Sequence, residues 1–428
     1  MTNGPCDQPA ARCKLVGNMK ELLSDFRIAR HQLRRAPGFA VLAIAMLAVG
    51  LGSTVGIYSL FHSIVLQPLP YAEPQELVTF RNLNHAKAID KEGVSPGDFR
   101  DYRERSQSFS KQGALRPNFI AYTPDDGPPV QMITGLVTAD LFEVFGVSPL
   151  LGRTFNADEF SFSAPRTVVL SEEAWKRYFG GQRDIIGSMI RLDDQPHTVI
   201  GIMPGSFREP TFVEAWLAFP DESPEYFARD ARFWTGFARL ASGVNIANAQ
   251  TEVRSISQDL AREYPESNRD WAATVVSLQE QRTAGISTSL QLLLGAVGLV
   301  LMIVCFNLAS LLLARSIARL PEFGVRMALG ATPMRLARVV IAESVILASL
   351  GGLIGAAIAA VGLPIVAEQI PPVLVPRAHE VALNGPALAA GFGPALICAL
   401  LLPALPASHL ARPHAHERPP APRPPRRT

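Results

Sequence analysis

Four long apolar stretches punctuate the chain: Phe39–Val65, Ile286–Ala314, Val339–Ala367 and Ala387–Ala411. Each is long enough for a hydrocarbon layer of roughly 30 Å, which takes about 20 helical residues. The charge between them alternates. Residues 1–38 hold seven basic against three acidic residues, residues 315–338 five against one, and residues 412–428 five against one. The long stretch 67–285 is the reverse, with 22 basic against 30 acidic residues. The formal whole-chain charge of +2 therefore conceals a polarised molecule. By the positive-inside rule both termini and the 315–338 loop are cytoplasmic, and the acidic segment lies outside. Four spans with both ends inside is self-consistent.

The expected organisation follows. Residues 1–38 form a cytoplasmic arm, 39–65 the first span, 66–285 an extracytoplasmic domain, and 286–411 a membrane domain. That last part divides into spans 286–314, 339–367 and 387–411, with a cytoplasmic loop at 315–338. A Pro/Arg tail, expected to be disordered, closes the chain at 412–428. The fold class is a bundle of four transmembrane helices plus a large α+β core domain between the first and second. The first apolar run is too long for a signal-peptide core, and Gln67-Pro68-Leu69-Pro70 follows it instead of a small-residue cleavage site. Prolines 394, 403 and 406 make the fourth span the weakest of the set.

All four cysteines (Cys6, Cys13, Cys305 and Cys398) fall outside the external segment, so that domain relies on its own core. It reads as mixed α and β. Strands are expected at Leu77–Arg81, Arg166–Leu170, Met189–Leu192, Thr198–Met203, Phe233–Leu240 and Ala272–Leu278. Helices are expected at Pro96–Ser108 (capped by Ser95), Glu172–Phe179 (capped by Ser171) and Ile246–Glu263. The run Asp193-Asp194-Gln195-Pro196 signals a hairpin turn.

No catalytic site is expected. The chain has six lysines and none follows a glycine, so it holds no phosphate-binding Gly-Lys-Ser/Thr loop. The serine-hydrolase Gly-x-Ser-x-Gly elbow is absent as well. Its Cys and His residues have no zinc spacing, and no cofactor is implied.

Three groups of residues carry mechanism. The first is a basic amphipathic helix before the first span, with Leu22, Phe26, Ala29 and Leu33 on one stripe. Lys20, Arg27, Arg30, Arg34 and Arg35 mark its contact with the membrane interface. Residues 1–18 lack periodicity, which fits either a disordered arm or initiation at Met19. The second group is Leu320–Gly330 in the cytoplasmic loop, with proline and glutamate at its start and glycine at its end. Glu322, Phe323, Val325, Arg326, Leu329 and Gly330 form a surface for a cytoplasmic partner, or an ordinary loop helix whose arginines meet lipid phosphates. The third is helix packing through Gly52, Gly56, Gly351, Gly355 and Asn307. Such small faces serve contacts within one chain or between two. Glu343, near the cytoplasmic edge, is expected to snorkel or to pair with Arg338.

Several motifs in order resemble one family. They are Arg30-x-Gln32-Leu33-Arg34-Arg35-x-Pro37-Gly38-Phe39, Phe142-x-x-Phe145-Gly146-Val147, Leu151-Gly152-Arg153-x-Phe155 and Val199-Ile200-Gly201-Ile202-Met203-Pro204. Further along stand Asn307-x-Ala309-x-Leu311-Leu312-Leu313-Ala314-Arg315, Glu322-x-x-Val325-Arg326-x-Ala328-Leu329-Gly330-Ala331 and Glu343-Ser344. Over residues 19–402 the chain resembles permease subunits of MacB/FtsX-type ABC transporters, in particular the tandem permeases built from two such units. The resemblance implies a non-catalytic subunit of the bacterial inner membrane. Its Glu322–Ala331 stretch would face a separate ATPase subunit. A second permease unit, as homodimer or tandem half, would complete it, with a periplasmic adaptor and membrane lipid as further partners and no nucleic acid. Motion driven by ATP would pass to the external domain for export or mechanotransmission. A scaffold or sensor that controls envelope enzymes is the alternative from another class. After Pro403-Ala404-Leu405-Pro406-Ala407-Ser408 the chain departs from the family's pattern, which leaves open a truncated tandem permease or a single-unit protein.

Overall fold

The computed structural model describes residues 24–84, 86–124, 127–209, 212–329, 333–369, 383 and 385–401. They divide into two compact units: one takes in Val65–Ser287, the other the described residues before and after it. Helices α1 (24–35) and α2 (Pro37–Phe61) come first, the latter continuing as a π-helical turn over His62–Leu66.

The Val65–Ser287 unit is built on one mixed sheet. In chain order its elements are β1 (Leu77–Asn84), β2 (Ile89–Glu92), α3 (Pro96–Arg105), β3 (Phe109–Thr123), β4 (Val130–Val137), α4 (Leu141–Phe145) and β5 (Leu151–Gly152). Then come β6 (Thr167–Ser171), α5 (Glu172–Phe179), β7 (Met189–Leu192), β8 (Gln195–Met203), β9 (Ala215–Ala218), β10 (Thr235–Leu240), α6 (Ile246–Glu263), α7 (Pro265–Asn268) and β11 (Trp271–Ser277). The strand order is β11-β1-β10-β3-β4-β9-β6-β8-β5, with β2 on β1 and β7 spanning β3 and β8. Strand β1 is antiparallel to both β10 and β11, so those two run parallel and α6 is the crossover between them.

Local chemistry accounts for the elements. Asn245 caps α6 by accepting from Asn248 N at 2.9 Å, and Ala249, Val253, Ile256 and Leu260 form its buried stripe. Ser95 and Ser171 cap α3 and α5 through Asp98 N and Ala174 N. The β7–β8 turn is tighter than the sequence pattern suggests. Only Asp193 and Asp194 form it, with φ of 48° and 59°, and Gln195 already belongs to β8. Asp193 accepts from Ala121 N through its carboxylate and donates its own N–H to Ala121 O, each at 2.8 Å, which holds the left-handed pair against β3. Gly152 and Gly201 permit the closest backbone approach in the sheet. A Cβ at Gly152 would lie 2.1 Å from Ile200 O, and one at Gly201 2.0 Å from Arg153 O.

Aromatic side chains fill the core beneath α4. Phe145 meets Phe207, Phe237 and Tyr71 at ring separations of 5.3, 5.2 and 5.0 Å, and Trp216 packs on Phe142 and Phe207. Under α3 lies a buried ionic network. Asp98 accepts from Arg229 at 2.9 Å, from Arg232 at 3.2 Å and from Asn268 at 2.8 Å, while Asp101 pairs with Arg229 at 2.5 Å. Arg229 and Arg232 also stack on Tyr264 and Trp271. Burial pulls the Arg232 guanidinium below its usual range, and Asp98 is the strongest opposing influence.

In the other unit, α8 (Leu278–Ala318) is 41 residues long and is followed by α9 (Leu320–Ala328), α10 (Pro333–Gln369) and α11 (Gly385–Leu401). Among the described residues, three helices are long and apolar enough to cross a membrane: Pro37–Leu66, Leu278–Ala318 and Arg338–Val366. The fourth expected span is described as helix only through Leu401, and residues 402–411 lie outside the described residues.

Helices α2 and α10 meet along glycines. A Cβ at Gly355 would sit 2.6 Å from Ala48 O and 2.8 Å from Gly52 N; one at Gly351 would sit 2.5 Å from Leu47 Cβ. These distances require bare backbone on both sides. Gly391 of α11 lies likewise against Val55. The seam has an end, because among the described residues nothing lies within 4 Å of a Cβ placed on Gly56. Asn307 is also outside the seam, exposed on α8 beside Phe306, which is 71% exposed.

Two predictions follow from these contacts. Asp98→Ala leaves Arg232 buried without its carboxylate, held by its hydrogen bonds to Ser267 O and Asn268 Oδ1, and is expected to cost about 3 kcal/mol. All four tryptophans (175, 216, 234 and 271) lie in Val65–Ser287, so denaturant titration of the full chain by tryptophan fluorescence reads this unit alone. Gly355→Leu is expected to lower the melting temperature of detergent-solubilised protein by several degrees, through overpacking of about 1–3 kcal/mol or more. Gly56→Ala leaves it unchanged, and size-exclusion recovery after heating measures both.

Candidate functional site

Three stretches far apart in sequence meet in one polar cluster around a buried carboxylate. Glu343 of α10 is 2% exposed, and its Oε1 lies 3.0 Å from Arg319 Nη1. Its Oε2 lies 3.6 Å from Arg315 Nη1. Arg315 and Arg319 are one helical turn apart at the end of α8 and share a face. The same two side chains hold α1. Arg319 donates to Gln32 Oε1 at 3.2 Å, and Arg315 donates to the Gln32 carbonyl at 3.0 Å. Arg315 also stacks on Phe39, its guanidinium carbon 4.6 Å from the ring centroid.

Glu343 therefore does not pair with Arg338 as its position on α10 suggests. Arg338 instead pairs with the buried Asp25 of α1 at 3.7 Å. The reason is helical phase: α10 presents Arg338 and Glu343 five residues apart, which is not a facing spacing. Each reaches a different neighbour. The outcome is a polar clamp that binds α1, the end of α8 and the early part of α10. A carboxylate removed from water is tolerated where paired cations and hydrogen bonds replace its hydration.

Helix α1 lies where the sequence pattern expects amphipathicity. Ala29 and Leu33 are buried, together with Asp25, while Arg27, Arg30, Arg34 and Arg35 are exposed. Phe26 is partly outside the buried stripe, and Lys20 and Leu22 lie outside the described residues.

Helix α9 stands between α8 and α10. Its Val325 and Leu329 are 63% and 83% exposed, and Glu322 is exposed as well. Val325 and Leu329 are one turn apart, so the helix shows an apolar strip with no described neighbour on it. Phe323 and Arg326 lie on the same helix, but their side chains, like the whole of Gly330, lie outside the described residues. Sequence reasoning passed over the clamp. Its signal was nonetheless present, because Gln32, Arg315 and Glu343 each stand in a motif that carries the family resemblance.

Comparison with known proteins agrees with these motifs. A family model described as the MacB-like periplasmic core domain matches residues 40–256, half of the chain. A second, described as the FtsX-like permease C-terminal, matches residues 294–415. The pyoverdine export ATP-binding/permease protein PvdT of Pseudomonas syringae pv. syringae (strain B728a) is 24% identical over 271 residues, covering 62% of this chain and 39% of that protein. The macrolide export ATP-binding/permease protein MacB of Escherichia coli (strain K12) is 24% identical over 225 residues, covering 51% and 33%. The chain thus spans about two fifths or less of the curated relatives it matches. The crystal structure of the periplasmic region of MacB from Actinobacillus actinomycetemcomitans aligns with a TM-score of 0.37 at 14% identity, covering 50% of this chain and 93% of that one. With the two family models in order along one sequence, the chain belongs to the MacB/FtsX-type ABC transporter permeases.

Proposed function

We propose that this chain is the membrane-embedded, non-catalytic subunit of an ATP-driven export or mechanotransmission complex. It would transmit motion between a cytoplasmic ATPase and its extracytoplasmic Val65–Ser287 unit. The observation that carries this reading is the continuity of α8. It starts at Leu278, directly after strand β11, runs unbroken to Ala318, and leads into α9 at Leu320. At 1.5 Å per residue such a helix is roughly 60 Å long, about twice a hydrocarbon layer. One continuous helix thus connects the sheet covalently to the short helix that would receive the ATPase.

Charge supports the orientation. The arginine-rich segments around α1 and α9 take the cytoplasmic side, and the acidic 67–285 segment takes the outside of a bacterial inner membrane. Four spans, completed by Ala387–Ala411, are part of the same reading. The exposed Val325–Leu329 strip with Glu322 beside it suits a cleft in a separate ATPase subunit, in the manner of an amphipathic helix laid in a groove. A second permease unit and a periplasmic adaptor belong to the proposal through the family. The ATP-binding function in the names of PvdT and MacB is that of those proteins.

The test uses the tagged full chain purified from the membranes of its own host, with the ATPase activity that co-purifies as the readout. Val325→Asp with Leu329→Asp is expected to reduce ATPase co-purification at least tenfold, with membrane abundance unchanged because both side chains are exposed. Unchanged co-purification would contradict the assignment of α9.

A further inference from the structure

A groove of about 630 Å³ opens between α1 and the corner where α8 passes into α9. Along α1 it is lined by Arg27, His31 and Arg35, spaced one turn apart on a single face. Arg315 and Arg319 face it from α8, and Glu322 is the acid at its edge. The remaining lining includes apolar Ile28, Ala36 and Ala318.

Among the described residues the charges at the groove do not balance. Four guanidiniums border the groove, while the carboxylates at hand are Glu322 and the buried Glu343, which compensates Arg315 and Arg319 together. Arg315 Nη1 is buried and has no hydrogen-bond acceptor among the described residues, Glu343 Oε2 standing 3.6 Å away. A buried donor in that state is costly unless an acceptor from outside reaches it. Arg27 and Arg35 are exposed, with freedom to close over an anion.

We propose that this groove is a binding site for the phosphodiester headgroup of an anionic phospholipid. Guanidinium forks match phosphate oxygens in geometry and charge. The apolar lining suits the glycerol and upper acyl region better than a free, fully hydrated phosphate. The position suits it too, because Pro37 begins α2 directly after Ala36, at the level where a chain enters the bilayer. The site is more specific than an amphipathic helix resting on a charged surface. It selects Arg27 and Arg35, which line the groove, over Arg30 and Arg34, which lie on the same helix outside it.

The experiment is native mass spectrometry of the full chain released from detergent micelles, titrated with dioleoylphosphatidylglycerol or dioleoylphosphatidylcholine. One discrete phosphatidylglycerol adduct per chain is expected, favoured at least tenfold over phosphatidylcholine. Arg27→Gln with Arg35→Gln should weaken it at least tenfold. Arg30→Gln with Arg34→Gln removes the same charge from α1 and should change it less than threefold. Equal losses in the two double variants would overturn the proposal in favour of diffuse surface attraction. So would a graded ladder of adducts without preference between the lipids. Displacement of phosphatidylglycerol by millimolar inorganic phosphate would assign the groove to a free anion and overturn the lipid identity.

Discussion

The membrane unit depends on one buried carboxylate. Glu343 cannot lie in an apolar helix without compensation, and Arg319 and Arg315 supply it from α8. Because those arginines also engage Gln32, the same ionic group fixes α1 to the bundle. The residues that face the proposed lipid groove and those that lead into α9 are therefore held by a single knot. A shift in α9 would be felt at Arg319, one residue before it. Toward its other end, α10 is held by close packing instead of charge, with Gly351 and Gly355 against the backbone of α2. One helix thus has two kinds of attachment, one directional and polar, the other steric.

The Val65–Ser287 unit solves its stability problem without disulfides. Its core comprises three hydrophobic clusters, the one under α4 rich in aromatic rings, and a buried ionic network lies under α3. The network is expensive to break and contributes little net energy when intact, so its value lies in positioning α3, α7 and β11 relative to one another. Under the proposed function such rigidity has a use, since a yielding sheet would dissipate displacement delivered through α8.

Much of the fold was legible because local rules decide it. The Asn245 cap and the stripe from Ala249 to Leu260 place α6 at the bounds read from periodicity, and Ser171 places α5 in the same way. Hydropathy located three long apolar helices among the described residues, and the helices extend beyond the apolar runs. Helix α8 begins at Leu278, eight residues before the apolar run, because Gln279, Glu280 and Arg282 continue the helix while being too polar for the bilayer. There, Gln279 donates to the carbonyls of Val65 and Gln67, and Arg282 pairs with Glu209. The motifs marked Gln32, Arg315 and Glu343 singly, but their pairing was not legible, since Gln32 and Arg319 are 287 residues apart and no spacing rule connects them. Among the small residues, sequence alone could not separate Gly52, which meets Gly355, from Gly56, which meets none of the described residues. Their difference is one of helix crossing, which composition does not encode.

The most direct test of the account is a double-mutant cycle on the clamp. Cys305 is buried against the α2–α8–α10 core, so its protection from maleimide reports opening of the membrane unit once Cys6, Cys13 and Cys398 are replaced by serine. Glu343→Ala and Arg319→Ala would each accelerate labelling, by up to roughly 100-fold if about 3 kcal/mol is lost. The account predicts that the double variant labels no faster than the worse single variant, a coupling of at least about 1 kcal/mol. Additive effects, equal to the sum of the two single losses within about 0.5 kcal/mol, would show that the two side chains act independently and that the clamp does not hold the bundle.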